Sequence, residues 1–390
     1  MARLDEKYII GLTPFGMDFV FTIYYLAAPL VLIELKASPV ELGLVGTITS
    51  FLHMGMANFM GPLSDRLGRR KLIIAAPLLF TVSCLLMTRV NQIPVILALS
   101  AVNGLCLSLF WPSFQAWIAD LLTGVELARQ IGTFNMSWTA AYFSGPVLSG
   151  FLYGLRPRLP FYVAAAISLV VFFFVYATVK VTKTGTAGKE DTSGKEKSTR
   201  FRPYLYAAWV GNFVSFFFLG NLRYQFPKLA RELNISPQMI GVLLGCIGFS
   251  QFFGFLILRR SEGWHFKRFH LLGAQLLAWA GMAVIFLSSH PLPFALAFMM
   301  IGLTSCVTYY SSLFYAVHLG ERKGRMTGLH ESILGSGAVL GPILGGVAAQ
   351  FTGLRAPYVL CIIVLSIAWV VEFLLMKRCE ACVLGKGGNV

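Results

Sequence analysis

Residues 61–72 read GPLSDRLGRRKL, and this short polar stretch decides how the rest of the chain is interpreted. A long apolar run lies on each side of it. Its two glycines permit a tight turn and a close approach of helices, and its aspartate can form ion pairs with its three arginines. The stretch therefore predicts a charged loop that joins two membrane-spanning helices.

The chain as a whole is too apolar for a water-soluble domain. Of its 390 residues, 56% are hydrophobic and 13% are charged, whereas soluble domains carry about 25% charged residues. A helix that spans the bilayer needs roughly 20 mostly apolar residues. Because backbone groups in lipid must be hydrogen-bonded and the apolar runs do not alternate, we expect helices rather than a β-barrel. Twelve such runs lie near 9–33, 40–61, 72–88, 93–119, 131–154, 159–180, 203–226, 237–258, 269–288, 292–318, 327–351 and 356–376.

The positive charge of the chain is unevenly placed. The net charge is +15, and most of the 32 lysines and arginines lie in loops and tails on the side of the N-terminus. This is the positive-inside pattern of a bilayer protein, and no nucleic-acid partner is expected. It predicts a multi-pass protein of the inner (cytoplasmic) membrane with both termini in the cytoplasm. No small-residue cleavage site follows the first apolar run, so we interpret that run as a retained helix.

The seven cysteines predict neither a disulfide framework nor a metal site. Five of them lie within apolar runs, where a free thiol behaves as a small hydrophobe. Cys379 and Cys382 have the spacing of a metal or redox pair, but no second pair and no nearby histidine accompany them. No cofactor is therefore expected.

The chain divides into two related halves. Residues 182–202 are rich in Gly, Ser, Thr and Lys and predict a flexible cytoplasmic linker. It separates a six-helix bundle at 1–181 from a second bundle at 203–378, which is followed by a cytoplasmic tail at 379–390. The halves repeat at a shift of 198, where Pro29, Glu34, Ser38, Pro39 and Gly43 fall on identical residues, and at a shift of 196, where Arg129, Gly132, Gly145, Pro146, Gly150 and Tyr162 do so. The repeat predicts an all-α membrane protein with twelve transmembrane helices in two pseudo-symmetric six-helix bundles.

The stretch at 61–72 also resembles a known signature. It matches G-x-L-x-D-R-x-G-R-[RK] of the major facilitator superfamily at every fixed position. The resemblance implies a secondary transporter whose halves rock about a midplane site, so that the site is reached from each side in turn. It also implies an inner-side lock that stabilises the outward-facing state and breaks when the inner gate opens: Asp65 lies near the N-terminus of helix eleven and pairs with Arg69, which also meets Asp120 at the inner end of helix four. The gating residues that the resemblance implies are Gly61, Asp65, Arg66, Gly68 and Arg69 of the motif, together with Asp120.

Two glycine–proline pairs are further gating candidates. Gly341-Pro342 on helix eleven resembles the signature that antiporters of the family carry on helix five, where this chain keeps Gly145-Pro146. The resemblance favours an antiporter. Close packing at glycine and a bend at proline are the alternative explanation for both pairs.

Ionisable residues inside the spans point to the transport pathway, because each costs at least about 2.5 to 3.5 kcal/mol at a helix centre. Asp18 lies well inside the first span, with Gly11, Thr22 and Tyr25 on the same helical face. We expect Asp18 to line the cavity and to bind and release a proton, with a structural hydrogen bond as the alternative. Glu331, about one turn into helix eleven, is expected to serve either proton coupling or an inner-gate salt bridge.

The remaining candidates are an arginine and a set of aromatic and polar side chains. Arg223, towards the outer part of helix seven, either holds an anionic substrate, pairs with Asp18 or snorkels to the membrane surface. Aromatic stripes at helical spacing predict cavity walls for an organic, weakly charged or amphipathic substrate, although ordinary helix packing gives the same spacing. The candidate substrate-binding residues are Tyr25, His53, Trp111, Gln115, Trp138, Tyr142, Arg223 and Tyr309.

These observations predict a secondary active transporter of a small organic solute, with proton-coupled efflux of a drug or metabolite as the leading interpretation. A sugar or organic-anion importer or uniporter of the same fold is the alternative, and it would use Arg223. A membrane enzyme would need a catalytic constellation and a receptor would need an output domain, and the sequence offers neither. The expected partners are the lipid bilayer, the solute and protons, and the transporter is expected to act as a monomer.

Overall fold

The computed structural model describes residues 6–384 except 123, 180–201, 259, 261–263, 265 and 320–322. Thirteen α-helices and no strand occur in this part of the chain. The helices are α1 (Glu6–Glu34), α2 (Pro39–Leu67), α3 (Arg69–Met87), α4 (Ile93–Leu121), α5 (Gly124–Leu155), α6 (Leu159–Thr178), α7 (Arg202–Tyr224), α8 (Phe226–Glu232), α9 (Pro237–Leu258), α10 (Arg268–Leu287), α11 (Pro291–Leu319), α12 (Lys323–Thr352) and α13 (Ala356–Leu384).

The prediction of an all-helical membrane protein is confirmed. Eleven segments of the described chain have the length and hydropathy to cross a bilayer, with α7 and α8 together forming one span, Arg202–Glu232. The remaining predicted span is α5, which is 32 residues long. It falls short of the hydropathy of the other spans because even its second half is rich in Ser, Gly and Tyr rather than in aliphatic residues.

The stretch at 61–72 is almost entirely helical, which corrects the prediction of a loop. α2 continues to Leu67 and α3 begins at Arg69, so Gly68 alone separates them. Gly68 has φ of 90° and ψ of 126°, a left-handed conformation that glycine adopts without the steric cost of a Cβ atom. The expected tight turn at Gly68 is therefore present, and it needs a single residue.

The two halves repeat the same helix packing. In the first half α1 packs against α5 and α6, α4 packs against α2 and α3, and α3 packs against α6. In the second half α7, α9 and α10 take the places of α1, α2 and α3 and make the corresponding contacts with α11, α12 and α13. The turns repeat as well, since Lys36 and Asn234 are 198 positions apart and have φ of 60° and 57°.

A serine side chain bonds the backbone at the start of the second helix of each half. Ser38 forms a capping box with Glu41 at the start of α2, and Ser236 accepts a hydrogen bond from the backbone N–H of Met239 at 3.3 Å at the start of α9. The predicted similarity of these two turns is therefore confirmed.

An arginine caps one helix in each half by bonding the carbonyls at its C-terminus. Arg158 donates hydrogen bonds to the carbonyls of Met87 and Val90 at 3.0 and 2.9 Å, beyond α3. Arg355 donates to the carbonyl of Ile285 at 3.2 Å, near the end of α10. A cation at a helix C-terminus is favoured by the helix dipole.

The halves meet along two seams, α2 against α12 and α5 against α9. Both seams are tight at the end of the bundle that contains the turn from α1 to α2, which we call the closed end. There Gly150 lies against Gly241, and Gly346 lies against the backbone of Pro39 and Val40. Glycine is needed at these positions because a Cβ atom would collide with the facing backbone.

The seams separate towards the opposite end, which holds Glu6 and Leu384 and which we call the open end. Gly132 lies 18 residues before Gly150, which is five helical turns and places both on the same face of α5. Gly328 has the same relation to Gly346 on α12. Both Gly132 and Gly328 have open space where a Cβ atom would stand. The space between the halves therefore widens towards the open end.

Two predicted segments fall partly or wholly outside this description. The linker at 182–202 lies outside the described residues except for Arg202, with which α7 begins. α13 continues to Leu384, past the predicted start of the tail at 379. The side chains of Cys379 and Cys382 lie outside the described part of the chain.

Candidate transport site between the two halves

A cavity lies between the halves where α1, α5, α7 and α9 approach one another. Its walls are mostly aromatic and aliphatic, and its few polar groups come from both halves. The aromatic and polar side chains of this lining include Tyr25, Trp138, Tyr142, Phe216, Arg223 and Gln251. A mostly apolar cavity with a few placed polar groups is the usual form of a site for small organic molecules.

Arg223 is the cationic group of this cavity. It lies near the end of α7, just before the break at Gln225 that separates α7 from α8. Its guanidinium carbon stands 5.1 Å from the ring centroid of Tyr25 and 4.9 Å from that of Tyr142. These cation–π contacts hold the group in the cavity, so it does not reach to the membrane surface. In the described part of the chain it forms no ion pair.

Asp18 lies beside the cavity and not in its lining, so the expectation that it lines the cavity is not met. Its exposed fraction is 4%, and it lies one helical turn before Thr22, a cavity-lining residue. Its side chain has no hydrogen bond or ion pair to any described residue; Arg223 is the opposite charge that acts on it electrostatically. An acid this deeply buried without a partner is a group that can take up a proton or a cationic ligand.

Trp138 joins the aromatic walls of the two halves. Its ring lies 5.5 Å from Tyr142 in its own half, and 5.9 and 5.7 Å from Phe255 and Tyr309 in the other half, in edge-to-face arrangements. Such pairs contribute about 0.5 to 1.5 kcal/mol beyond area burial. Trp138 thus bounds the cavity on the side of the open end, where its ring still contacts the other half. We call this boundary the cavity floor.

Glu331 lies further towards the open end. It is exposed on α12 and acts electrostatically on Tyr309. The adjacent His330 is buried, and its Nδ1 lies 2.7 Å from the hydroxyl of Ser312. No salt bridge to Glu331 occurs among the described residues. Glu331 therefore stands between the cavity floor and the open end, where water can reach it.

Four predicted substrate contacts lie outside the lining of the central cavity. Trp111 packs edge-to-face against Phe110 and Phe134 inside the first half. Gln115 is exposed on α4. His53 lies on α2, and its Nδ1 is buried without a hydrogen bond to any described group. Tyr309 packs against Trp138 next to the cavity. The other four candidates, Tyr25, Trp138, Tyr142 and Arg223, line the cavity itself.

The charged residues of the motif form a network at the open end. Arg69 binds Asp65 at 3.1 Å and binds Asp120 on α4 through Nε and Nη2. The side chain of Asp65 is 54% exposed, and Arg66 is also exposed. Gly61 lies within α2, one turn before Asp65. The expected Arg69 contacts are therefore present, in a conformation whose open end is wide.

The glycine–proline pairs lie at tight helix contacts. Gly145 on α5 faces Thr22 and the backbone of Phe19 on α1, and Gly341 on α12 faces Phe217 on α7. Pro146 lines the cavity. The carbonyl of Pro342 accepts a hydrogen bond from the side chain of Gln225 at 3.3 Å. Gly145 and Gly341 thus allow close packing within one half, whereas the carbonyls of Pro146 and Pro342 lie at the two seams, against Gly241 and Gly43.

Two residues of the cavity lining and one buried carboxyl group were not predicted from the sequence. Phe216 and Gln251 line the cavity, but Gln251 stands in a long apolar run where one amide carries no positional signal. Glu372 on α13 is fully buried. The sequence signal for Glu372 was available, because it is a carboxylate inside the last apolar run.

Comparison with known proteins gives consistent results. A family model described as Major Facilitator Superfamily matches residues 10–210 and 208–381. The chain is 24% identical over 373 residues to the quinolone resistance protein NorA of Staphylococcus aureus, covering 90% of this chain and 92% of that protein. It is 23% identical over 359 residues to multidrug resistance protein 1 of Bacillus subtilis, covering 87% and 90%.

The fold is shared with solved transporters. A bacterial homologue of the human lysosomal transporter Spinster, in an inward-facing and unoccupied conformation, aligns with a TM-score of 0.75 and 17% identity. The alignment covers 96% of this chain and 98% of that one. Since the family model matches nearly the entire chain and the two six-helix halves enclose a central cavity, the chain belongs to the Major Facilitator Superfamily of membrane transporters.

Proposed function

We propose that this transporter is a proton-coupled antiporter that exports a small, weakly charged or amphipathic organic molecule. The proposed orientation places both termini in the cytoplasm of a bacterial inner membrane, because most lysines and arginines lie on that side. In this orientation the open end faces the cytoplasm, and a substrate for export would reach the cavity from this end when the contacts of Trp138 with Phe255 and Tyr309 separate.

The observation that carries the proposal is the buried carboxyl group of Asp18. It has no hydrogen bond or ion pair to any described residue, and it lies within electrostatic reach of Arg223. A carboxylate in this position is costly and a protonated acid is not, so protonation and the arrival of a solute can substitute for each other. Two curated relatives that match about nine tenths of the chain are named for drug resistance, which supports the direction of transport.

The proposed cycle follows from the positions of these groups. In the outward-open state Asp18 takes up a proton from outside, and the halves then rock to the inward-open state. There the proton leaves towards the cytoplasm past Glu331, which is exposed between the cavity and the open end. The substrate enters against Trp138 and Tyr142, and the halves rock back. The contacts of Arg69 with Asp65 and Asp120 lie within the first half and are formed while this end is wide, so their proposed role is to fix the cytoplasmic ends of α2, α3 and α4 relative to one another through the cycle.

Arg223 supports a second candidate function, the uniport or import of an organic anion. Its guanidinium is held between Tyr25 and Tyr142 and pairs with no described carboxylate. A planar guanidinium with free donors fits a substrate carboxylate in a two-point contact. In this case the substrate anion, and not a proton on Asp18, would balance the charge of the site.

The test uses the purified protein in sealed liposomes that contain a pH-sensitive dye. A quinolone, an organic cation and an organic anion are added in turn to wild type and to Asp18→Asn. We expect a substrate-triggered proton flux in wild type that falls to the level of empty liposomes in Asp18→Asn. Glu41→Gln is the matched control, because Glu41 is a carboxylate in the helix cap at the closed end and should leave the flux unchanged.

The same measurement separates the two candidate functions. Solute movement without proton movement, equal in wild type and Asp18→Asn, would refute proton coupling. If that solute is an anion and Arg223→Gln abolishes its movement, the second candidate is correct. A proton flux that survives in Asp18→Asn would show that the coupling group lies elsewhere.

A further inference from the structure

Glu372 is a carboxyl group buried inside the second half. Its exposed fraction is 0%, and α13, on which it lies, packs against α7, α10 and α12. It contributes to neither the central cavity nor the charged network at the open end. A charge on a group in such a place costs at least about 2.5 to 3.5 kcal/mol, so something must neutralise it.

Three helices hold this carboxyl in a fixed position. Gln275 on α10 donates a hydrogen bond from Nε2 to its Oε1 at 2.8 Å. A Cβ atom on Gly211 of α7 would lie 3.1 Å from that same oxygen and 2.8 Å from Nε2 of Gln275. Because residue 211 is glycine, the pair can lie directly against α7. The second oxygen, Oε2, has no hydrogen bond to any described group.

No described cation compensates this carboxyl. Hydrogen-bond and ion-pair contacts of Glu372 within the described chain are limited to the one amide donor. The described titratable or charged groups on the helices packed around it form no ion pair with it. They are Arg202, Tyr204, Tyr206, Arg223 and Tyr224 on α7, Arg268 and His270 on α10, Cys306, Tyr309, Tyr310 and Tyr315 on α11, His330 and Glu331 on α12, and Tyr358, Cys361 and Lys377 on α13. The space beside Gly211 is also too closely packed to offer a metal ion several oxygen ligands.

A chain of polar groups leads from this place to the central cavity. The methyl group of Thr308 on α11 lies 3.1 Å from the Cβ position of Gly211. The Thr308 hydroxyl is 2.7 Å from that of Ser215 and donates to the carbonyl of Ser305 at 3.2 Å. The hydroxyl of Ser305 accepts a hydrogen bond from Gln251 at 2.7 Å. Gln251 lines the central cavity.

We propose that Glu372 is a second proton-binding site of this transporter. It holds a proton in the conformation described here, and it releases this proton to water that enters between α7, α10 and α11 when these helices shift, so that the carboxylate forms in contact with water. The role of this proton in the cycle rests on the proposed function as a proton-coupled antiporter. The binding of a proton by Glu372 does not rest on that function, because the function was proposed from Asp18, which lies in the other half.

Binding is tested by infrared difference spectroscopy of the purified full chain after a pH jump. Wild type should show the carbonyl stretching band of a protonated carboxyl in a dry environment. Glu372→Gln should lose this band, and Asp18→Asn should keep it. Glu372→Gln should fold normally, because its amide oxygen can still accept the hydrogen bond from Gln275. Gln275→Met, which retains Glu372 but removes its donor, should shift the band without abolishing it.

Three results would overturn the assignment of a proton site. A band that is identical in Glu372→Gln would show that another group holds the proton. A band that Gln275→Met leaves unmoved would place the proton away from this pair. Loss of the band on addition of sodium at constant pH would show that the site binds a metal cation instead.

The role in transport is tested by the number of protons moved per substrate in liposomes. We expect the ratio to fall by about half in Glu372→Gln, since one of two sites is lost. An unchanged ratio, with the infrared band absent, would make the proton of Glu372 structural and refute its part in the cycle. If wild type moves substrate without protons, the proposed function fails while the infrared result still decides whether Glu372 binds a proton.

Discussion

Two hydrogen bonds that cross the closed end should set the balance between the two transport states. Gln225 donates to the carbonyl of Pro39 at 3.0 Å, and Lys228 donates to the carbonyl of Ala37 at 2.6 Å. Both bonds join the second half to the first, so they must break when the closed end opens. We therefore expect Gln225→Leu combined with Lys228→Met to favour the state in which this end is open.

The expected size of the shift follows from the environment of each bond. The neutral bond of Gln225 is worth about 1 kcal/mol, and the partly exposed ammonium of Lys228 contributes about 1 kcal/mol because solvent screens it. Loss of both gives about 2 kcal/mol, which changes the ratio of the two states roughly thirtyfold. The fraction of molecules in which the closed end is open should therefore rise in the double variant relative to wild type.

The assay is the distance between spin labels at the closed end. Arg89 in the first half and His290 in the second are both exposed there and can carry the labels after substitution by cysteine. The matched control is Arg355→Met, which also removes hydrogen bonds at the closed end, but bonds that lie entirely within the second half. Arg355→Met should lower thermal stability and leave the distance distribution unchanged. An unchanged distribution in the Gln225 and Lys228 double variant would refute the reasoning.

Three further predictions concern packing, the charged network and the cavity. Gly145→Ala should lower stability by about 1 to 3 kcal/mol, because the methyl group meets α1, whereas Gly132→Ala faces open space and should leave the unfolding temperature in detergent unchanged; equal effects would contradict the contact. Arg69→Lys keeps its charge but loses the two-point contact with Asp120, and should cost about 1 kcal/mol in the same measurement, while no loss would show that the contact does not stabilise the fold. Trp138→Ala should weaken the binding of an aromatic substrate about tenfold, as measured by fluorescence quenching, and an unchanged affinity would place the substrate elsewhere.

The number and order of the helices could be predicted from sequence because the bilayer requires each span to satisfy its own backbone. The ends of the helices could not be predicted, because a helix can continue beyond the hydrocarbon core of the bilayer through polar residues that still form its backbone hydrogen bonds. For this reason α2 runs to Leu67 and the predicted loop reduces to Gly68. The repeat was visible because the turns at Lys36 and Asn234 impose the same backbone conformation on both halves.

The cavity was only partly predictable, because a helical stripe does not say which neighbour it faces. Asp18 and Arg223 could be singled out by their charge alone, but their approach across the halves depends on how α1 and α7 are rotated. Trp111 carries the same stripe signal as Trp138, yet it packs within the first half. Aromatic spacing alone therefore does not separate residues of the cavity wall from residues that pack two helices of one half together.

The glycines of the two seams mark positions where substitution is not tolerated, in contrast to the cavity walls, where it is. Where Gly150 meets Gly241 and Gly346 meets Pro39, backbone touches backbone and a single added methyl group would hold the halves apart. The aromatic side chains around Trp138 have no such constraint, since one ring can replace another. Variants with altered substrate choice should therefore arise readily in the cavity walls, while the motion that carries any substrate across the membrane is preserved by positions that tolerate only glycine.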